Sequence, residues 1–263
     1  MEVELLAIRD KVVIITGAAR GHGRSMAVTF ASEGARLALA DIAPLDQVVG
    51  ECQQYEAEVR PFQLDLREPA QVRAMIDEVH KHYGRIDVLI NDAGIVTHFR
   101  YAGTERWPRI AEMEPSFFDN VIRTNLFGTF LTTKYVLPYM EAQGSGHIIN
   151  FGQGSVGRGI GPTDPEQLGA TAYHVSKLAI RAFSQDVAGE EFAHGICIMA
   201  MGPGEQLFSD PSLTPEEVRA RAAKIDMELG RRFVIAAEAP MEMSGRMVMV
   251  RDGKVVPVAD EVL

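Results

Sequence analysis

The stretch Val12-Val13-Ile14-Ile15-Thr16-Gly17-Ala18-Ala19-Arg20-Gly21-His22-Gly23 decides the fold. Four consecutive β-branched residues predict a buried strand, and beyond the turn Met26, Phe30 and Ala31 return at helical spacing. The turn between them carries three glycines. Without Cβ atoms the backbone turns tightly and comes close to a pyrophosphate, whose charge then rests on the free N–H groups opening a helix. A plain strand-to-helix turn is the competing reading, but the position after the first strand of a βαβ unit selects a dinucleotide loop. Gly17, Arg20, Gly21, His22 and Gly23 are its candidate contacts.

Outward from this loop, aliphatic runs recur at Arg36–Ala40, Val59–Phe62, Ile86–Ile90, His147–Phe151, Ile196–Ala200 and Met247–Val250, with helix-period segments between them. Val72, Met75, Ile76, Val79 and Tyr83 give one such amphipathic helix. Strictly alternating elements of this kind build parallel strands joined by right-handed crossovers. The prediction is α/β: a single Rossmann-type, doubly wound parallel sheet of about seven strands flanked by helices, as one domain over residues 1–263. Three irregular segments, Thr97–Pro115, Gly152–Thr171 and Gly202–Pro215, all follow carboxyl ends of strands, where such sheets bind ligands. Asp41 ends the second strand, 24 residues after Gly17, in the place of a carboxylate that bonds the adenosine ribose hydroxyls. It would repel a 2′-phosphate, which favours NAD over NADP, although Arg20 offers positive charge for the phosphorylated form.

Composition narrows the class further. Hydrophobic residues at 46% and charged residues at 24% fit a packed globular protein. The net charge of −10 and the absence of a basic block argue against nucleic acid. No stretch reaches the ~20 apolar residues that span a bilayer, and Met1–Asp10 does not read as a signal peptide, so a cytoplasmic protein is expected. Cys52 and Cys197 stand apart from any zinc-type spacing and the histidines are scattered, so no metal is expected.

Taken together, Thr16-Gly17-x-x-x-Gly21-x-Gly23, Asn91-Asp92-Ala93-Gly94, Tyr173-x-x-x-Lys177 and Pro203-Gly204 follow one another over roughly residues 8 to 255. In this order they resemble the short-chain dehydrogenase/reductase family. The wording of the glycine loop is also similar to that of carveol-dehydrogenase-like members. The resemblance implies that Asp65 and Leu66 meet the adenine edge, that Asn91, Ala93, Gly94, Pro203 and Gly204 line the cofactor cleft, and that the protein is a homotetramer or homodimer. Asp65 read without the family is a helix N-terminal carboxylate before Glu68-Pro69.

Tyr173 and Lys177 lie four apart in a helix-period segment and so share a face. A free tyrosine titrates near 10, and a neighbouring ammonium together with a cationic nicotinamide would favour its phenolate. Tyr173 is then the proton acceptor in alcohol oxidation and the donor in ketone reduction. The resemblance adds that Lys177 holds the nicotinamide ribose and that Asn125 anchors a water leading to Lys177. It also marks two departures. Where the family has a serine after the fifth strand, this chain has Gln153, with Ser155 two residues later; either can donate a hydrogen bond to a developing oxyanion. Where the family has a threonine after Pro203-Gly204, Gln206 or Ser209 stands instead.

The resulting expectation is an NAD-dependent alcohol dehydrogenase or ketone reductase for a small, largely apolar substrate, cyclic or terpenoid in shape. Its substrate segment lies around 205–230, where Leu207, Phe208, Met227 and Leu229 offer an apolar wall. Met199 and Met201 read as core filling. The alternative is a nucleotide-binding relative whose chemistry is lost, or altered to a non-redox elimination or isomerisation, because Gln153 replaces serine.

Overall fold

The computed structural model describes residues 8–95, 108–152, 171–202 and 228–258. Its framework is one sheet. The strands are β1 (Val12–Thr16), β2 (Arg36–Asp41), β3 (Val59–Gln63), β4 (Val88–Asn91), β5 (Gly146–Phe151), β6 (Ile196–Met201), β7 (Met247–Arg251) and β8 (Lys254–Pro257). They lie in the order β3-β2-β1-β4-β5-β6-β7-β8. All neighbours from β3 to β7 run parallel, and β8 returns antiparallel to β7. The order reverses between β1 and β4, so their carboxyl ends open a crevice at the switch point.

Both faces of the sheet are covered, which is why its central strands are apolar throughout. On one side, α1 (Gly21–Ser32), α2 (Asp46–Gln53) and a helix over 228–236 pack Met26, Phe30, Val48 and Phe233 against Val13, Ile15, Leu37 and Ile90. On the other, α3 (Pro69–Tyr83) delivers Val72, Met75, Ile76 and Val79 onto Val12, Ile14 and Leu89. Each such side chain removed from water contributes roughly 1.5–3 kcal/mol before chain entropy is counted. The expected helix near Phe117–Tyr135 is found as α4 (Pro115–Ile122), a π-helical turn over Arg123–Phe127, and α5 (Gly128–Gln143). Beside β5 and β6 lies α6 (Thr171–Glu191).

Two sequence expectations shift. The fourth strand was predicted from Ile86, but β4 starts at Val88 because the Gln143 side chain takes both backbone groups of Ile86, accepting its N–H at 2.9 Å and donating to its carbonyl at 2.8 Å. An eighth strand was not predicted. Asp252 and Gly253, with φ of 51° and 71°, make a two-residue hairpin turn that folds Lys254–Pro257 back onto β7. The Asp-Gly pair was the available signal.

Candidate active site

The strands β1, β2, β4, β5 and β6 end side by side, and the glycine loop, Asp41, Ala93, Gly94 and Lys177 lie at or just beyond those ends. After Thr16 the chain enters the glycine loop. Gly17 has φ +74°, and a Cβ there would stand 2.7 Å from the Ala93 Cα; a Cβ on Gly23 would stand 2.1 Å from the Gly17 carbonyl oxygen. These two positions therefore exclude any side chain, and the loop is pressed flat between β4 and the opening turn of α1. Gly21 also takes a positive φ of +56°. Gly17 and Ala18 donate their N–H groups to the Ala40 carbonyl, while Arg20, exposed at the helix start, supplies no side-chain cap. A flat, side-chain-free cradle at a helix N-terminus fits a pyrophosphate.

Asp41 lies beside this cradle. Its two carboxylate oxygens accept the N–H groups of Ala19 and Ala43, each at 2.9 Å, which hold it at the tip of β2. Each oxygen keeps acceptor capacity for a ribose hydroxyl. Asp65 is differently engaged. The Arg67 guanidinium binds its carboxylate through Nε and Nη2 at 2.6–3.0 Å and holds it below the usual carboxylate range. Glu68, with no side-chain bond, occupies the cap position of α3, so Asp65 is not its cap. Leu66 is buried under Gly128.

Asn91 does not face the crevice. It is buried, donates to the Asn150 side chain at 2.8 Å and accepts from Thr132 at 2.7 Å, and Asn150 in turn donates to Ser184. This chain of bonds ties β4 and β5 to α5 and α6 beneath the site. Ala93 donates its N–H to Thr16 Oγ1, and Gly94 passes over Asn125.

Asn125 occupies the π-helical turn and is fully buried. Its Oδ1 accepts the Ile95 N–H at 2.7 Å, and its Nδ2 donates to the Ile95 carbonyl and to Ser176 Oγ at 3.0 Å. Ser176 donates onward to the Tyr173 carbonyl at 2.7 Å. Asn125 thus clamps the chain leaving β4 to the first turn of the helix bearing Tyr173. Ser176, one residue before Lys177, is a functional neighbour that the sequence reading missed.

On α6, Tyr173 and Lys177 share a face, with the Lys177 Nζ 5.7 Å from the Tyr173 ring centroid. Lys177 is buried, and Nζ donates to the Phe151 carbonyl at 2.7 Å. Burial pulls Lys177 down to about 8, partly opposed by the carboxylate of Asp92. For Tyr173 the sequence expectation was a lowered value. Instead, burial and then Asp92 push it up to about 12. Tyr173 packs against the buried pair Val121 and Ala172, and a phenolate out of water there is poorly solvated. Asp92, which follows Asn91 directly and was given no role in the sequence reading, is itself pushed up to about 6 by burial.

Gln153, Ser155, Pro203 and Gly204 lie outside the described residues, as do positions 205–227 of the expected substrate segment. The described chain reaches Gly152 and Gly202 just beyond the ends of adjacent strands β5 and β6, and Gly152 donates to the Met201 carbonyl at 2.9 Å. Of the proposed apolar wall, Leu229 belongs instead to the core, fully buried with Phe233 and Val234. Met199 and Met201 are core residues, in line with the sequence reading. Among the described residues no cluster of His, Cys, Asp or Glu could hold a metal, and no helix is long and apolar enough to cross a membrane.

Comparison with known proteins follows the same geometry. The short chain dehydrogenase family profile matches residues 11–209. A 3-oxoacyl-(acyl-carrier-protein) reductase of Thermotoga maritima is 33% identical over 222 residues, 82% of each chain. A levodione reductase of Leifsonia aquatica is 35% identical over 199 residues, 74% of this chain and 69% of that one. Among solved structures, an NAD+-bound xylitol dehydrogenase shares the fold with TM-score 0.71 at 23% identity, over 92% of this chain and 97% of that one. A metagenomic short-chain oxidoreductase in complex with NADP has TM-score 0.64 at 26% identity, over 84% and 91%. The glycine cradle at the switch point and the family match over most of the sheet lead to one conclusion: the chain belongs to the short-chain dehydrogenase/reductase family of oxidoreductases, which bind nicotinamide cofactors.

Proposed function

We propose that this protein is an NAD-dependent oxidoreductase that interconverts a secondary alcohol and a ketone on a small, largely apolar substrate, with Tyr173 as the acid–base group. The observation that carries the reading is the meeting of Tyr173 and Lys177, on one face of α6, with the carboxyl ends of the strands that hold the glycine cradle. Asp41 supports NAD, because its carboxylate offers acceptors to ribose hydroxyls and repels a 2′-phosphate. The packing of Tyr173 against buried Val121 and Ala172 supports a substrate with little polarity next to its reacting carbon.

In this mechanism Tyr173 Oη bonds the substrate oxygen. With the phenol raised to about 12, the protonated form dominates at neutral pH, so the residue is poised to give its proton to a ketone oxygen and to take it back from an alcohol. When bound, the nicotinamide supplies or accepts the hydride at the carbinol carbon. Lys177, buried with its ammonium on Phe151 O, places a positive charge beside the phenol and within the cleft. Asn125 and Ser176 fix the turn of α6 from which Tyr173 projects.

The test mixes purified protein with NAD and a panel of secondary alcohols, including cyclic ones, and follows nicotinamide absorbance. Turnover on at least one alcohol, lost in Tyr173→Phe, supports the proposal; turnover unchanged in that variant removes Tyr173 from the mechanism. A second reading is favoured by Gln153 in the place of the family's serine: nucleotide binding with lost or non-redox chemistry. Tight NAD binding without turnover on any panel member, unchanged by Gln153→Ser, would select it.

A further inference from the structure

We propose that the cavity at the amino ends of the strands, at the other end of the sheet from the crevice, is a second small-molecule site, which takes a zwitterion of the amino-acid class. The inference is independent of the dehydrogenase reading, because no residue of the Tyr173 site takes part in it.

The cavity forms where the parallel strands begin. Because β1, β4, β5 and β6 run the same way, the residues that lead into them meet at one end of the sheet, away from the glycine loop. The turn that follows the helix over 228–236 closes over this end, and the enclosed space is about 310 Å³. Ile8, Val88, Ala239 and Met241 give it an apolar lining. Ligand pockets of this kind combine such a lining with a few placed polar groups, and the volume is at the small end of their range. It holds a molecule smaller than a drug-sized ligand.

The polar side chains on its wall are Lys11, Asp87, Ser145, His147 and Glu238. Asp87 is already engaged, accepting the Val12 N–H at 2.9 Å and Arg85 Nε at 2.9 and 3.0 Å. Lys11 Nζ lies 3.7 Å from Asp87 Oδ1, near enough for attraction and too far for a hydrogen bond, so its donors stay available. His147 Nε2 stands 2.9 Å from the Ala239 carbonyl. A carbonyl only accepts, so Nε2 carries the proton and Nδ1 is left as an acceptor; burial holds the ring below its ordinary value and keeps it neutral at pH 7. The Glu238 carboxylate and the Ser145 hydroxyl have no hydrogen-bond or ion-pair partner among the described residues. Lys11 and Glu238 thus line one cavity without pairing with each other. A cation and a carboxylate held apart in this way complement a ligand that carries both charges. The ligand ammonium meets Glu238 and His147 Nδ1, its carboxylate meets Lys11 and Ser145, and its side chain lies on the apolar lining. A lone anion would face Glu238 and a lone cation Lys11, and among the described residues no group of His, Cys, Asp and Glu could hold a metal ion.

The test is calorimetric titration of the whole protein with L-leucine, with leucinamide, which lacks the carboxylate, and with isocaproate, which lacks the ammonium. L-leucine should bind saturably at one site per chain, and each of the other two should bind about tenfold more weakly or worse. Lys11→Met should weaken L-leucine about tenfold and erase its advantage over leucinamide; Glu238→Gln should do the same against isocaproate. Both side chains reach solvent, so neither change threatens the fold. Tyr173→Phe, at the other end of the sheet, should leave L-leucine affinity unchanged. The inference is overturned if wild type does not bind L-leucine, if leucinamide or isocaproate binds as well, or if both charge variants bind like wild type. Binding lost in Tyr173→Phe overturns it too, by moving the ligand to the crevice. None of these results touches alcohol turnover, so this inference and the dehydrogenase reading fail separately.

Discussion

Lys177 Nζ donates to the main-chain oxygen of Phe151 at 2.7 Å, joining the helix of Tyr173 to the end of β5 at the point where the chain leaves the sheet. This bond places a buried cation at the carboxyl end of β5.

The cost of that buried cation should be visible in stability. Its proton affinity in the fold, at about 8, is below the ordinary value of 10.5, so between those pH values the unfolded chain binds more protons than the native one. The penalty is full below pH 8 and is relieved as pH rises toward 10.5. Lys177→Met removes it, worth about 3 kcal/mol, but orphans the Phe151 carbonyl at about 1–2 kcal/mol. The net expectation is a variant more stable than wild type by about 1–2 kcal/mol at pH 7, with the difference shrinking by pH 10. Urea melts at the two pH values measure it, and a less stable variant at pH 7 would contradict the sign.

Tyr173→Phe should keep the fold and nucleotide affinity while turnover drops by about 10²–10⁴-fold, the range for loss of a general acid–base group. Its ring packing against Val121 and Ala172 is preserved by phenylalanine. Single-turnover rates alongside NADH titration separate chemistry from binding.

Asp41→Asn should weaken discrimination against NADP. Removing the negative charge facing a 2′-phosphate is worth about 1–2 kcal/mol, so the NAD to NADP affinity ratio should fall by about tenfold. One of the two N–H groups now held, of Ala19 or Ala43, loses its acceptor, so a modest loss of NAD affinity accompanies the switch. Parallel titrations with NADH and NADPH decide it.

Gly23→Ala should damage both fold and binding. The added Cβ would meet the Gly17 carbonyl at 2.1 Å, and that contact is backbone on both sides, so the loop itself must move. Overpacking of this kind costs about 1–3 kcal/mol. Gly50→Ala, with open space around its Cβ in α2, is the control and should be neutral or slightly stabilising. Thermal melts of the pair give the comparison.

Asn125→Leu should destabilise the protein by about 2–3 kcal/mol, because the Ile95 N–H and carbonyl and the Ser176 hydroxyl all lose a partner in a buried place. Asn125→Asp restores only the acceptor for Ile95. Chemical denaturation of both variants, with turnover measured on the folded fraction, checks whether the clamp serves stability, the placement of Tyr173, or both.

Much of the sheet could be read in the chain because its signals are local. Val12–Ile15, Arg36–Ala40 and Ile196–Ala200 are apolar runs that only a doubly covered parallel strand explains, and the glycines at 17 and 23 are demanded within one turn. Where reading failed, the cause was a competitor acting at a distance. Gln143 took the backbone of Ile86 away from β4, and Leu229 proved to be core because the sheet face beneath 228–236 was already apolar.

What the sequence by itself determined is the alternation of strand and helix, the nucleotide loop and the pairing of Tyr173 with Lys177 across one helical turn, since periodicity and glycine geometry act over a few residues. What only the tertiary structure decided is the electrostatic state of that pair. The Phe151 carbonyl is 26 positions from Lys177, Ile95 is 30 from Asn125, and Asn91 is 59 from Asn150. Burial then raises the proton affinity of Tyr173 where a helix in isolation would have lowered it, because desolvation is a property of the assembled core and not of the spacing of two residues.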